Sequence, residues 1–176
     1  MTKNEKLYNM AKECSYPRGT KKSKRGYPKG KPKKEYKEAL NKAYPDRKGW
    51  RAQTKAGASC DVFVGVVVRA SGVDKHFTRM LDYLIKYVKK HKDDWELIKN
   101  PKKKDLRKGD IIAQRWKTGN GHVSIYMGKN KKGEHLVANA HYYGKSYPVI
   151  QLYKNQVRGA SRCKWFYAIR PKKEVN

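Results

Sequence analysis

Ser59-Cys60-Asp61-Val62-Phe63-Val64-Gly65-Val66-Val67-Val68-Arg69-Ala70 is the segment on which the fold turns. Its β-branched content favours a strand. Its ends read as helix boundaries, with the small polar Ser59 at the start, an acid in the first turn at Asp61 and Gly72 just past the far end. Periodicity does not decide so short an apolar run, and at this point a buried helix and a buried strand both stay open. Downstream, Phe77, Leu81, Leu84, Ile85 and Val88 fall at i, i+4, i+7, i+8 and i+11, the pattern of an amphipathic helix. After Asn100-Pro101 the period changes to two. Residues 110–115, 121–127, 134–141, 149–153 and 164–169 show alternation or short apolar runs, separated by Lys-Gly, Gly-Asn-Gly and Asn-Lys-Lys-Gly turns. Helices first and an antiparallel meander afterwards define an α+β domain.

Upstream the texture is different. Residues 1–48 hold 16 Lys and Arg against 5 Asp and Glu and few apolar side chains. Residues 18–34 alone carry nine basic residues with Gly19, Gly26, Gly30, Pro28 and Pro32, a composition that buries too little apolar surface to order itself, and they read as a loop draped over the domain. Short helices are expected on either side, over 5–13 and over 33–43, where Tyr36, Ala39, Leu40 and Ala43 recur at helical spacing and Pro45 stops the pattern. The division expected is a basic N-terminal extension at 1–48 and one domain at 49–176. A chain of 176 residues with 38% hydrophobic content has room for one ordinary core.

No run of about 18 apolar residues occurs, so no spanning helix is expected. Residues 1–11 offer no apolar stretch of the kind a secretory signal needs, so export would require another route. Three cysteines, Cys14, Cys60 and Cys163, are too few and too scattered for a disulfide framework, and they lack the paired spacing of a zinc site. A reducing compartment or one reactive thiol fits that count.

Cys60 would open the buried segment if it is a helix. Unsatisfied backbone N–H groups and the helix dipole at that position favour a thiolate and lower the thiol's pKa, which makes Cys60 a candidate nucleophile. The blander alternative is a structural cysteine in a hydrophobic run. In Gly121-His122-Val123-Ser124-Ile125-Tyr126-Met127-Gly128 the residues Val123, Ile125 and Met127 form one face, expected to pack. His122, Ser124 and Tyr126 form the other, expected to look outward. Gly121 before the histidine lets a partner approach closely. One strand later, in Leu136-Val137-Ala138-Asn139-Ala140-His141, Asn139 and His141 share a face, and either is a candidate to hold the second nitrogen of His122.

The order of these residues resembles the NlpC-like branch of the papain-like cysteine peptidases, cell-wall hydrolases that cut amide bonds in peptidoglycan peptides. The carriers are a Cys at a helix start, Leu106-Arg107-Lys108-Gly109-Asp110-Ile111-Ile112, then Gly-His-Val-Ser-Ile-Tyr-Met-Gly, then a polar residue in the next strand. The likeness runs from about Trp50 to Ile169. It implies a papain-like fold, with helices on an antiparallel sheet or partly open barrel. It implies Cys60 as nucleophile, His122 as base and Asn139 as the orienting residue, with His141 as fallback for that third place. It also implies a peptide substrate and an acyl-enzyme, with no metal and no organic cofactor. The chain departs from the pattern where relatives have Asp before their Cys and Ser-Gly after it. Here Ser59 precedes and Asp61 follows, and the adjacent carboxylate opposes thiolate formation by like charge. With Gly121, Ser59 and Asp61 join the residues expected to meet substrate, as do Trp50 and Trp116, each placed in a loop before a catalytic segment.

The charge is the second signal. Lys and Arg number 44 against 15 Asp and Glu, a formal net of +29, which excludes an ordinary neutral-surfaced metabolic enzyme. Basic chains with interleaved Tyr, here Tyr16, Tyr27, Tyr36 and Tyr44, bind nucleic acid in many cases, so a non-catalytic nucleic-acid-binding protein is the rival class. No helix-turn-helix, RNA-recognition or zinc-finger pattern accompanies them, and Lys86, Lys89, Lys90, Lys92 and Lys102 to Lys104 spread charge over the core as well. Spread charge points to a polyanionic surface such as a bacterial or archaeal wall. The expectation is a monomeric, lysin-like hydrolase, made in the cytoplasm and acting at the wall after release or injection, with a phage-type lysin, an injected effector and one domain of a longer chain all left open. A fold that keeps its shape without its chemistry is a third class, disfavoured by the presence of Cys60, His122 and Asn139 together. Cys14 and Cys163 read as structural, and His76, His91 and His135 as solvent-facing.

Overall fold

The run at 59–70 is a helix. The computed structural model describes residues 1–20, 32–46, 59–78, 80–141 and 147–173, and its N-terminal half contains α1 (Lys3–Cys14), α2 (Lys34–Ala43), α3 (Cys60–Ala70) and α4 (Leu81–Lys90). Thr2 and Glu5 close a capping box at the start of α1, each side chain meeting the other's backbone N–H at 3.0 Å. At the start of α3, Ser59 is extended, and the Asp61 carboxylate accepts from the Val62 N–H at 2.9 Å and from the Ser59 hydroxyl at 2.5 Å. Gly72, at φ +80°, ends that helix and bonds back to the Arg69 carbonyl.

The valines of α3 lose less than roughly 0.7 kcal/mol each to helix propensity, whereas full burial of each is worth about 1.5–3 kcal/mol. Burial decides. Val62, Phe63, Val64, Val66, Val67 and Val68 are no more than 2% exposed, because α3 has α1 and α2 against it as well as the sheet. Leu7, Ala11 and Cys14 of α1 and Tyr36, Ala39 and Leu40 of α2 enter the same core, so the basic N-terminal segment supplies part of the domain's interior.

Six strands follow among the described residues: β1 (Trp95–Lys99), β2 (Ile111–Trp116), β3 (Gly121–Lys129), β4 (His135–Asn139), β5 (Val149–Leu152) and β6 (Cys163–Pro171), with a one-turn helix α5 (Tyr153–Gln156) after β5. The sheet order is β1-β6-β2-β3-β4-β5, every neighbouring pair antiparallel. The architecture is α+β, and the sheet is open, not a closed barrel, with β1 and β5 at its edges. Two expectations need correction. The meander covers only β2 to β5, because β6 returns to lie between β1 and β2. Strand β1 went unread because it follows α4 after a four-residue turn that carries neither Gly nor Pro. The outer edge of β5 is partly covered by the chain leaving α1, where Tyr16 forms a parallel bridge with Val149.

The second correction concerns the polar face of β3. The helices cover the face carrying Ile111, Ala113, Val123, Ile125 and Met127. The opposite face is covered too, by a smaller core of Ile112, Tyr126, Val137, Tyr153, Val157, Cys163 and Phe166. His122, Ser124 and Tyr126 are therefore buried and do not look outward. His135, expected in solvent, is half-buried with its Nδ1 2.6 Å from the Tyr126 hydroxyl, and His91 is half-buried against the Tyr87 ring.

The turn into β2 is held by Asp110, which is fully buried. Its carboxylate accepts from Arg170 Nε at 2.9 Å, Arg170 Nη2 at 2.7 Å, the Arg107 N–H at 2.8 Å and the Asn4 amide at 3.0 Å. One side chain thus ties the start of α1 and the end of β6 to the Lys108-Gly109-Asp110 turn. Gly109 is required there, since it sits at φ +93° and an added Cβ would strike the Asn4 carbonyl. Asp110→Ala leaves the nearly buried Arg170 guanidinium unpaired, and we expect a loss of about 3–5 kcal/mol in urea unfolding. Surface exchanges such as Lys132→Ala should stay within about 0.5 kcal/mol.

Candidate active site

His122 stands at the second position of β3, opposite Gln114 of β2. Gly121 before it allows the close approach of the two strands, since a Cβ at 121 would collide with the Gln114 carbonyl oxygen and come within 2.5 Å of the Leu81 side chain. Its role is therefore inside the sheet. His122 is 7% exposed, and its Nε2 lies 2.9 Å from Oδ1 of the fully buried Asn139 in β4.

The direction of that bond follows from the surroundings of Asn139. Its Nδ2 lies 3.3 Å from the Val149 carbonyl oxygen and 3.0 Å from Gln151 Oε1. A backbone carbonyl only accepts, so the nitrogen of the amide must face it and the oxygen must face His122. An oxygen accepts from the imidazole only if Nε2 carries the hydrogen. Nδ1 is then the basic nitrogen, and it makes no hydrogen bond among the described residues.

His141 takes a different place from the one considered for it. Its ring lies face to face with that of His122, centroids 5.1 Å apart and planes 12° from parallel, and its Nε2 is 3.1 Å from Gln151 Oε1. Asn139 holds the edge of His122, and His141 covers its face. Gln151 holds both, and a sequence reading for catalytic types passes over it because a glutamine in a strand carries no such signal. On the other side of His122 the Trp116 ring stacks at 6.3 Å. Trp116 belongs to the end of β2 and not to a loop, and its N–H donates to Gln114 Oε1 at 3.1 Å.

Cys60 reaches the same strand from the helix-bearing side. It stands at the start of α3, half-buried against the core, and α3 packs on β3. No hydrogen bond joins the sulfur to the His122 ring among the described residues. Burial outweighs the backbone N–H groups there and pushes the Cys60 thiol up to about 11, with the Asp61 charge adding to the rise. The expected lowering by the helix start is thereby reversed, because desolvating a sulfur anion costs more than the backbone dipoles there return. Burial, with the neighbouring His141 adding to it, holds His122 down to about 4. At neutral pH the two groups are a thiol and a neutral imidazole, not an ion pair.

Of the remaining expected substrate contacts, Ser59 and Asp61 bond to each other at the cap of α3, and Trp50 lies outside the described residues. Cys14 is buried among apolar side chains, which push its thiol up to about 12, and Cys163 is buried with its sulfur 3.3 Å from Gln114 Nε2. No group of three or more His, Cys, Asp or Glu side chains among the described residues is arranged to hold a metal ion. No described helix is long and apolar enough to cross a membrane.

Beside His122 and His141 a cleft of about 440 Å³ opens, walled by Trp116 and by Lys154, Arg158 and Arg162 from the segment between β5 and β6. Cys60 does not line it. Comparison with protein-family models, with curated proteins and with solved structures finds no match to this chain.

The protonation states are measurable. In ¹⁵N–¹H spectra His122 should show hydrogen on Nε2 and a bare Nδ1, titrating near 4. An unfolded histidine takes its proton near 6.5, so folded His122 binds fewer protons below that value. The sign follows: this stabilisation is full above about pH 6.5 and is lost as pH falls towards 4. An Nδ1–H tautomer, or titration near 6.5, would contradict the assignment.

Proposed function

We propose that the chain is a cysteine peptidase that hydrolyses amide bonds in cell-wall peptides through Cys60, His122 and Asn139. The observation that carries the reading is the Asn139 amide, turned by Val149 so that His122 keeps its proton on Nε2 and its lone pair on Nδ1. With it goes Cys60 at the start of α3, the helix that packs on the strand carrying that histidine.

Each step uses one of these features. The Cys60 sulfur attacks the substrate carbonyl carbon while its proton passes to His122 Nδ1, and a C–S bond forms. The Cys60 N–H at the start of α3 faces the developing oxyanion, a donor worth about 3–4 kcal/mol in comparable sites. Collapse breaks the C–N bond, and Nδ1 gives its proton to the departing amine. Water then yields a proton to Nδ1 and its oxygen to the acyl carbon. The C–S bond breaks and the proton returns to sulfur. In the free protein the imidazole is bonded to Asn139 and no hydrogen bond joins it to the thiol among the described residues, so the two must meet during this cycle. Catalytic hydrogen bonds in ligand-free sites are commonly long and tighten when substrate excludes water.

The net charge of +29 supports a polyanionic wall as the place of action, since attraction concentrates a cationic enzyme there. On this reading the chain is a monomeric, lysin-like hydrolase that works at the wall after release or injection. Incubation with purified walls followed by identification of new amino and carboxyl ends tests the function. Cys60→Ala should abolish the release of new ends while leaving the unfolding midpoint within a few degrees. Asn139→Ala should lower kcat by about 100-fold through loss of imidazole orientation. The acid limb of kcat/KM should fall near pH 4, where His122 gains its proton, and not near 6.5. Release of ends by Cys60→Ala at the native rate would end the assignment of Cys60 as nucleophile, and no release of ends by the native chain would favour a salt-sensitive polyanion-binding protein.

A further inference from the structure

We infer that Arg158 is a specificity residue that binds a carboxylate of the substrate, so that the preferred peptide carries an acidic group next to the amide that is cut. The inference rests on the peptidase reading above and concerns a part of the site that reading does not use.

Arg158 is fixed in place to an unusual degree for a surface-loop arginine. Its backbone is bracketed by the buried Gln114, whose Nε2 donates to the Arg158 carbonyl at 2.5 Å and whose Oε1 accepts the Arg158 N–H at 3.0 Å. The same Oε1 accepts the Trp116 N–H at 3.1 Å. The Arg158 guanidinium lies over the Trp116 ring, 3.9 Å from its centroid. Gln114 thus sets both the arginine and the aromatic plate beneath it, and Gln114 is the direct cross-strand partner of His122. One strand pair therefore positions the base and the cation together.

The cleft they share has the electrostatics of an anion site. Arg158, Arg162 and Lys154 line it with His122 and His141, and no described Asp or Glu does. Neither Arg158 nor Arg162 forms an ion pair with a described carboxylate. Stacking on Trp116 leaves the edge of the guanidinium, with its N–H donors, free for an oxyanion in a two-pronged arrangement. A cation fixed beside the base recognises something covalently near the reacting amide. That favours a carboxylate on the same peptide over a remote phosphate polymer, for which loosely held surface lysines would serve as well.

The test uses the full-length chain with Cys60→Ala, which removes turnover, and a matched pair of wall-type peptides that differ only in a carboxylate or a carboxamide beside the scissile bond. Calorimetry at fixed salt should give at least tenfold tighter binding for the acid, and Arg158→Gln in the same background should reduce that ratio to within about twofold. Arg158→Lys, which keeps the charge but loses the fork, should retain only part of the preference. Equal affinity for acid and amide, or a preference that survives Arg158→Gln, overturns the inference. So does tighter binding of a short phosphodiester polymer than of the acidic peptide when that binding is lost with Arg158. Binding is read without catalysis. Failure of the peptidase reading would appear instead as the native chain cutting neither peptide while the acid preference in binding stays intact.

Discussion

A carbonyl oxygen cannot donate a hydrogen bond, and much of the site's chemistry follows from where the Val149 carbonyl lies. It turns the Asn139 amide, the amide oxygen selects the Nε2–H form of His122, and that tautomer leaves Nδ1 as the only basic nitrogen of the ring. The fold exists around this chain of constraints in a concrete sense. Strands β3, β4 and β5 must be adjacent and in register for the three groups to meet, and both faces of the sheet must be covered for them to be dry. A neutral hydrogen bond in such surroundings is directional and strong, which makes the orientation of the imidazole a property of the folded sheet.

The same dryness sets the resting protonation. A helix start with backbone N–H groups on its sulfur ordinarily favours a thiolate. Here desolvation wins, so the thiol and the imidazole both rest uncharged. On the proposed reading the proton moves as the sulfur attacks, with no standing ion pair before substrate binds.

Much of the architecture was legible in the sequence for physical reasons. The apolar spacing at 81–88 and the period-two runs after Pro101 are direct projections of burial, and the structure places elements on them, although the helix begins at Leu81 and leaves Phe77 in the chain before it. The nature of 59–70 was not legible, because a run buried on every side has no polar face to reveal its period. Strand β1 and the insertion of β6 between β1 and β2 depend on long-range pairing that no local pattern encodes. For the site, the structure joins His122 to Asn139 across β3 and β4, whereas Cys60 stands at the start of α3, outside the cleft beside His122 and without a hydrogen bond to that ring among the described residues. The burial of the polar face of β3 was illegible because its cover, Tyr153, Val157 and Phe166, comes from distant residues that read as a loop and the last strand. Gln114 and Gln151, which hold Arg158, Asn139 and His141 in place, were overlooked because uncharged amides acquire meaning only from their neighbours.

The account rests on the sulfur of Cys60 becoming covalently joined to a wall peptide. The most direct measurement is acid-quenched incubation of the chain with soluble wall peptides, followed by proteolysis and mass mapping of the three cysteine-containing fragments. The account predicts an acyl mass equal to the amino-terminal portion of the substrate on the Cys60 fragment, and none on those of Cys14 and Cys163. Cleavage of the peptides with Cys60 unmodified at every quench time, or with the acyl group on another residue, would contradict it.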